Sequence, residues 1–223
     1  MVGLKTTLVA LALSLHALAA PVLDTRQACA DVIVIYARGT TETAPIGDST
    51  SVGADLEADL VSALGGKSLS FQGVDYPASI LGFLEGGDPQ GSTNMATMLT
   101  SAATSCPNVS SSQETLYRLD ASSDLFPQCE QAAIVSSGYS QGGQLVHNSA
   151  KQLSAAVSAR INAVVIFGDP DDGQAVAGIA ASKVDVICHT GDNICQGGIE
   201  VLPPHLDYQM DTPSAAAFIA ARV

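Results

Sequence analysis

The sequence predicts a three-layer α/β/α sandwich around a central five-stranded parallel sheet. Two observations carry that expectation. Short β-branched apolar runs alternate with helix-length segments of small residues, which is the strand–helix–strand rhythm of a parallel sheet covered on both faces. The clearest strand, Ala30–Ala37 (ADVIVIYA), is continuously apolar and therefore reads as central and buried on both sides. The 223 residues, 47% of them hydrophobic, are enough for one sizeable core.

The elements follow in order. After the first strand, Ser49–Leu64 reads as a helix with Val52, Leu56, Leu60, Ala63 and Leu64 on one face, and Gly65-Gly66 ends it. Ser68–Val74 is a second strand, and Ser92–Ser105 a helix with Met95, Met98, Leu99 and Ala102 along one stripe. Ala132–Ser137 is the third strand, followed by one helix over Gln141–Val157. Asn162–Phe167 and Lys183–Cys188 complete the sheet, and Ser214–Val223 is the closing helix. In such sheets, sites form at the carboxyl ends of the strands.

Residues 1–19 read as a signal peptide: Lys5 precedes an apolar run too short for a bilayer span, and Ala17-Leu18-Ala19 has the small-x-small pattern of a cleavage site. Residues 20–28 form a short N-terminal segment, with Arg26 a conceivable propeptide end, and 29–223 a single domain. Export permits disulfides among the five cysteines and places the protein outside the cell. With a net charge of −13 and only 9 Lys and Arg, nucleic acid and anionic membranes are poor partners. No later run is apolar enough for stable membrane insertion.

Gly138-Tyr139-Ser140-Gln141-Gly142 lies between a buried strand and a helix. Two glycines permit a sharp strand-to-helix turn with Ser140 at its apex, at the positive end of the helix, where negative charge is favoured. A serine hydroxyl needs a base. Of the 4 histidines, His16 leaves with the signal, and His147 lies two turns along the helix, where a structural or surface role is expected. His189, after a strand end, stays open by position. His205, in the stiff segment Leu202-Pro203-Pro204-His205, is favoured, because the order serine, acid, histidine places the base there. Asp192 is the first choice of acid and Asp169 the second. A Cys188–Cys195 disulfide would close a short loop around Asp192, which favours positioning over global stability. The oxyanion is expected to be held by the backbone N–H of Gln141 and by Thr40, in the loop after the first strand.

Ala37-Arg38-Gly39-Thr40-Thr41-Glu42, Gly138-Tyr139-Ser140-Gln141-Gly142, Gly191-Asp192 between two cysteines, and Pro204-His205-Leu206-x-Tyr208 together resemble the cutinase family. These are small, lidless, secreted fungal serine esterases of α/β-hydrolase type, a group that also includes acetylxylan esterases. The resemblance runs from about Cys29 to the C-terminus. It implies Ser140 as nucleophile, His205 as base, Asp192 as acid, and Thr40 and Gln141 as the oxyanion hole. It further implies cutin or aliphatic polyester as substrate, no cofactor or metal, and a monomer. Two apolar loops flank the nucleophile in that family; here they match the segments holding Leu81, Phe83 and Leu84 and holding Val201 and Leu202. Such an exposed rim suits acyl chains, and the lack of tryptophan weakens a sugar-binding reading. The alternatives are an acetylxylan esterase and a catalytically silent binding protein on the same fold.

The resemblance also implies a bridge from Cys29 to a cysteine just before the nucleophile strand. Cys129 and Cys106 compete for that place, with Cys129 favoured if the stretch between them is real. Residues 109–131 have no family counterpart and read either as a surface insertion or as a translated intron. Asn108 opens Asn108-Val109-Ser110, an N-glycosylation acceptor.

Overall fold

The structure is a computed structural model describing residues 30–105 and 132–223. The signal peptide over 1–19, the segment 20–28, Cys29, Cys106, Asn108, Cys129 and the atypical stretch 109–131 lie outside the described residues.

Five strands form one parallel sheet: β1 (Val32–Ala37), β2 (Leu69–Gly73), β3 (Ala133–Tyr139), β4 (Ile161–Phe167) and β5 (Val184–Ile187). Their spatial order is β2-β1-β3-β4-β5, and every pairing is parallel. The order reverses between β1 and β3, so a crevice opens at their carboxyl ends, the usual place for a site in such sheets.

Side-chain alternation along the central strands builds the two cores. Val32, Val34 and Tyr36 of β1 pack to one side with Val135 of β3 and Val165 and Phe167 of β4. Leu56 and Leu60 of helix α1 (Val52–Ala63) and Ala215, Ala216 and Ile219 of the C-terminal helix α6 (Thr212–Ala220) cover that face. The alternate residues Ile33, Ile35, Ile134, Val164 and Ile166 face the opposite side. There they meet Met95 and Leu99 of α3 (Pro89–Ser105) and Leu145 and Val146 of α4 (Gln141–Ala150). This is the expected three-layer sandwich.

Several boundaries differ for local reasons. Helix α1 begins at Val52 because Ser51 is its cap, accepting from the Ala54 N–H, and Ala63 faces solvent while Leu64 is buried. Helix α3 starts three residues before Ser92 because Pro89 suits a first helical position and the Asp88 carboxylate accepts from the Gly91 N–H. The single helix expected over Gln141–Val157 is two: α4 ends at Ala150, and α5 (Ala155–Arg160) starts anew from Ser154, whose hydroxyl accepts from the Val157 N–H. A short helix, α2 (Ile80–Leu84), occupies what the sequence suggests is an apolar loop, capped by Ser79. Helix α6 begins at Thr212, with Pro213 in its first turn.

Candidate active site

Ser140 sits between β3 and α4 with φ 56° and ψ −121°, a conformation sparsely populated by residues with a side chain. Its N–H donates to the Phe167 carbonyl on β4, and its carbonyl accepts from the Gly143 N–H. The flanking glycines make the turn possible. A Cβ on Gly142 would lie 1.9 Å from the Ala37 carbonyl oxygen, and one on Gly138 would lie 2.4 Å from that of Gly142.

His205 and Asp192 converge on this serine. His205 Nε2 lies 2.9 Å from Ser140 Oγ, and Nδ1 lies 2.8 Å from Asp192 Oδ2. Burial pushes the Asp192 carboxyl up, but hydrogen bonds from Tyr208 and His205 and from the Ile194 N–H outweigh it and hold its pKa below 3.8. An ionised Asp192 fixes the imidazole proton on Nδ1 and leaves the Nε2 lone pair for the serine hydroxyl. Asp192 is fully buried and His205 nearly so. The expected Cys188–Cys195 disulfide is present and closes the loop that carries Asp192.

Two tyrosines hold this pair. The Tyr208 hydroxyl donates to Asp192 Oδ2 at 2.7 Å, and burial together with that carboxylate pushes its pKa well up, so it stays a donor. The Tyr139 hydroxyl donates to the His205 carbonyl at 2.7 Å, and its ring stacks on the His205 imidazole at 5.2 Å. Gly168, just after β4, lets His205 and Tyr208 approach: a Cβ there would lie 2.8 Å from an atom of each ring. Sequence reasoning quotes Tyr139 and Tyr208 within motifs but assigns neither a role. The Tyr208 contact depends on a turn docking against a distant loop, which leaves no periodic signal.

The first-strand loop lies across the turn from Gln141. The Gln141 side chain donates to Thr40 Oγ1 at 3.0 Å and to the Ser79 carbonyl at 2.7 Å, tying α4 to that loop and to α2. As the first residue of α4, Gln141 has a backbone N–H with no acceptor within the helix. The buried Arg38 guanidinium anchors the loop by donating to the carbonyls of Glu42, Val74 and Tyr76. Glu42 accepts from the Gly39 N–H, and burial raises its carboxyl above the ordinary value.

The other candidates fall elsewhere. His147 is buried and bonds Asp169 Oδ2 at 2.9 Å, so the second-choice acid is engaged by His147 and not by His205. The His189 ring bonds Pro204 and Asp211, with no contact to Ser140. Among the described residues, no group of three or more His, Cys, Asp or Glu side chains is arranged to hold a metal ion, and no helix is long and apolar enough to cross a membrane.

An open cleft of about 660 Å³ surrounds Ser140. Apolar Ile80, Phe83, Ile194, Ile199, Val201 and Leu206 and polar Thr40, Thr41, Glu42, Thr43, Thr50 and Gln209 are among its lining residues. Of the five apolar residues expected at the rim, Phe83 and Val201 line the cleft. Leu81, Leu84 and Leu202 are exposed on the same two segments. Leu206, also exposed, lines the cleft as well.

A sequence profile of the cutinase family matches residues 28–112 and 110–223. A cutinase of Botryotinia fuckeliana is 52% identical over 212 residues, covering 94% of this chain and 92% of that one. A cutinase of Coprinopsis cinerea is 44% identical over 98% of both chains. Among solved structures, the Trichoderma reesei cutinase in complex with a phosphonate inhibitor is 41% identical with a TM-score of 0.73, over 88% of this chain and 78% of that one. An acetyl xylan esterase shares the fold with a TM-score of 0.58 at 22% identity, over 87% of this chain and 99% of that one. Identity at the level of the fungal relatives, over nearly the full length, makes the chain a member of the cutinase family and so a carboxylic ester hydrolase.

Proposed function

We propose that this chain is a secreted serine esterase that hydrolyses short-to-medium acyl esters, cutin and aliphatic polyesters through a covalent acyl-enzyme. The observation that carries the reading is the unbroken hydrogen-bonded chain Ser140–His205–Asp192 at a cleft partly lined by apolar side chains. As an ester carbonyl approaches, His205 Nε2 takes the Ser140 proton and Oγ bonds to the carbonyl carbon. The developing oxyanion is met by the Gln141 N–H and by Thr40. Asp192 stabilises the imidazolium, which returns its proton to the leaving alcohol as the C–O bond breaks. A water then enters, His205 accepts its proton, and the acyl-enzyme is hydrolysed with Ser140 restored.

The exposed Leu81, Leu84, Val201 and Leu202, together with Phe83 in the cleft wall, would take acyl chains or lie on a polymer surface. Export follows from reading 1–19 as a signal peptide, with 29–223 as the single catalytic domain, 109–131 as a surface insertion and the chain acting as a monomer.

Ser140→Ala is expected to lower kcat by roughly 10⁴–10⁶-fold with the fold intact. On soluble esters the wild type should prefer C4–C8 acyl chains to acetyl, and it should clear a polyester film. A strong preference for acetyl groups on xylan would move the assignment to an acetylxylan esterase, and retained activity in Ser140→Ala would remove the nucleophile assignment.

Tyr208→Phe deletes a donor to Asp192 and should cost about 1.5–3 kcal/mol of stability. Because the folded Asp192 lies below its ordinary pKa of 3.8, it contributes stability above that pH, which is lost as pH falls through the folded value. The variant should therefore lose stability at a higher pH on the acid side than the wild type, read by thermal unfolding across acid pH. Coinciding acid limbs would contradict this role for Tyr208.

Peptide mass mapping of the secreted protein should find no peptide from 1–19 and should find peptides from 109–131. Their absence would instead support removal of that stretch before translation.

A further inference from the structure

Both ring nitrogens of His189 face acceptors. Nδ1 lies 2.8 Å from the Pro204 carbonyl oxygen, and Nε2 lies 2.7 Å from Asp211 Oδ2. Neither a carbonyl nor an ionised carboxylate brings a proton, so each contact needs an N–H from the ring. A neutral imidazole has one, and an imidazolium has two. We infer that His189 is an imidazolium at neutral pH and clamps the loop bearing His205, which makes it a positioning residue for ester hydrolysis whose deprotonation sets the alkaline limit of full activity.

Pro204 directly precedes His205 in the single helical turn Pro203–Leu206, so its carbonyl is a handle on the base itself. The same histidine also grips the acid's partner. The His189 backbone N–H donates to the Tyr208 hydroxyl at 2.9 Å, and its ring stacks on Tyr208 with centroids 4.1 Å apart and planes 19° apart. Tyr208 in turn donates to Asp192. Through its ring and its backbone, His189 thus steadies both the loop of His205 and the tyrosine that holds Asp192.

The titratable groups facing His189 are Asp211 from the turn Tyr208–Asp211, Asp192 from its own loop, Tyr208 across its ring face, and His205 just beyond Pro204. Burial opposes charge on His189, but the bonds to Pro204 and Asp211 and the charges of Asp211 and Asp192 outweigh it and raise its pKa above 6.5. The contribution is full below 6.5 and is lost as pH rises through the folded value. The carboxylate is the stronger acceptor, so the last ring proton stays on Nε2, and Pro204 loses its donor.

The inference rests on His205 being the catalytic base, and its test separates the two. In the full chain with ¹⁵N-labelled histidine, the His189 resonances, assigned by their absence in His189→Gln, should report protons on both nitrogens at pH 6.5. That reading does not depend on activity. In the wild type kcat should fall as His189 deprotonates, with KM nearly constant. Asp211→Asn supplies an amide N–H that neutral Nε2 can accept, which returns the ring proton to Nδ1 and Pro204, so the alkaline fall should disappear. His189→Ala should lose about tenfold in kcat at pH 7, the scale of one hydrogen bond, with KM unchanged. A singly protonated His189 at pH 6.5, or the wild-type alkaline fall persisting in Asp211→Asn, would overturn the inference.

Discussion

The close approach of α4 to β1 is the constraint on which the site depends. At Gly142 the helix backbone passes so near the Ala37 carbonyl that no side chain fits between them. That contact holds the strand-to-helix turn tight and keeps Ser140 at positive φ, where its hydroxyl projects from the end of the sheet. A conformation of this kind costs on the order of 1–3 kcal/mol and persists only when its surroundings over-determine it. Here the Ser140 N–H bond to Phe167, the Gln141 bonds to Thr40 and Ser79, and the paired glycines all act on the same turn. Because β1 and β3 are neighbours at the point where strand order reverses, the loop carrying Thr40 and the turn carrying Ser140 face one another.

The acid and base are held by a different device. They sit on irregular segments after β5 and before α6, where no regular hydrogen-bond ladder fixes the backbone. Covalent closure by Cys188–Cys195, the hydroxyls of Tyr139 and Tyr208, and the His189 ring supply the missing constraints. Gly168 contributes by absence, since a methyl group there would push both His205 and Tyr208 away. Ser140 is therefore positioned by backbone sterics, and His205 and Asp192 by side-chain bonds and a disulfide.

The parts of this arrangement visible in the sequence are those with local causes. Short apolar runs, β-branched in every strand but β2, locate the five strands to within a few residues, and the G-x-S-x-G turn between strand and helix marks Ser140. The cysteines around Asp192 and the proline pair before His205 mark two stiffened loops. What was not legible depends on distant chain segments. Ser154 restarts a helix that apolar periodicity alone would continue, and α2 is too short to show a period. The tyrosine hydroxyls find their acceptors only once the last turn docks, and His147 finds Asp169 across the α4–β4 packing. Leu206 joins the apolar rim because the turn that carries it lies beside the cleft, which its neighbours in sequence do not reveal.

In the proposed mechanism the hydroxyl of the strained Ser140, activated by His205, takes the acyl group. Covalent trapping tests it directly: the chain is incubated with an alkyl phosphonate ester carrying a good leaving group, and the adduct is mapped by peptide mass spectrometry. One phosphonyl group per chain is expected, on Ser140, formed in step with complete loss of esterase activity and far more slowly in His205→Ala. Loss of activity with the phosphonyl group on another residue, or full labelling at an unchanged rate in His205→Ala, would contradict it.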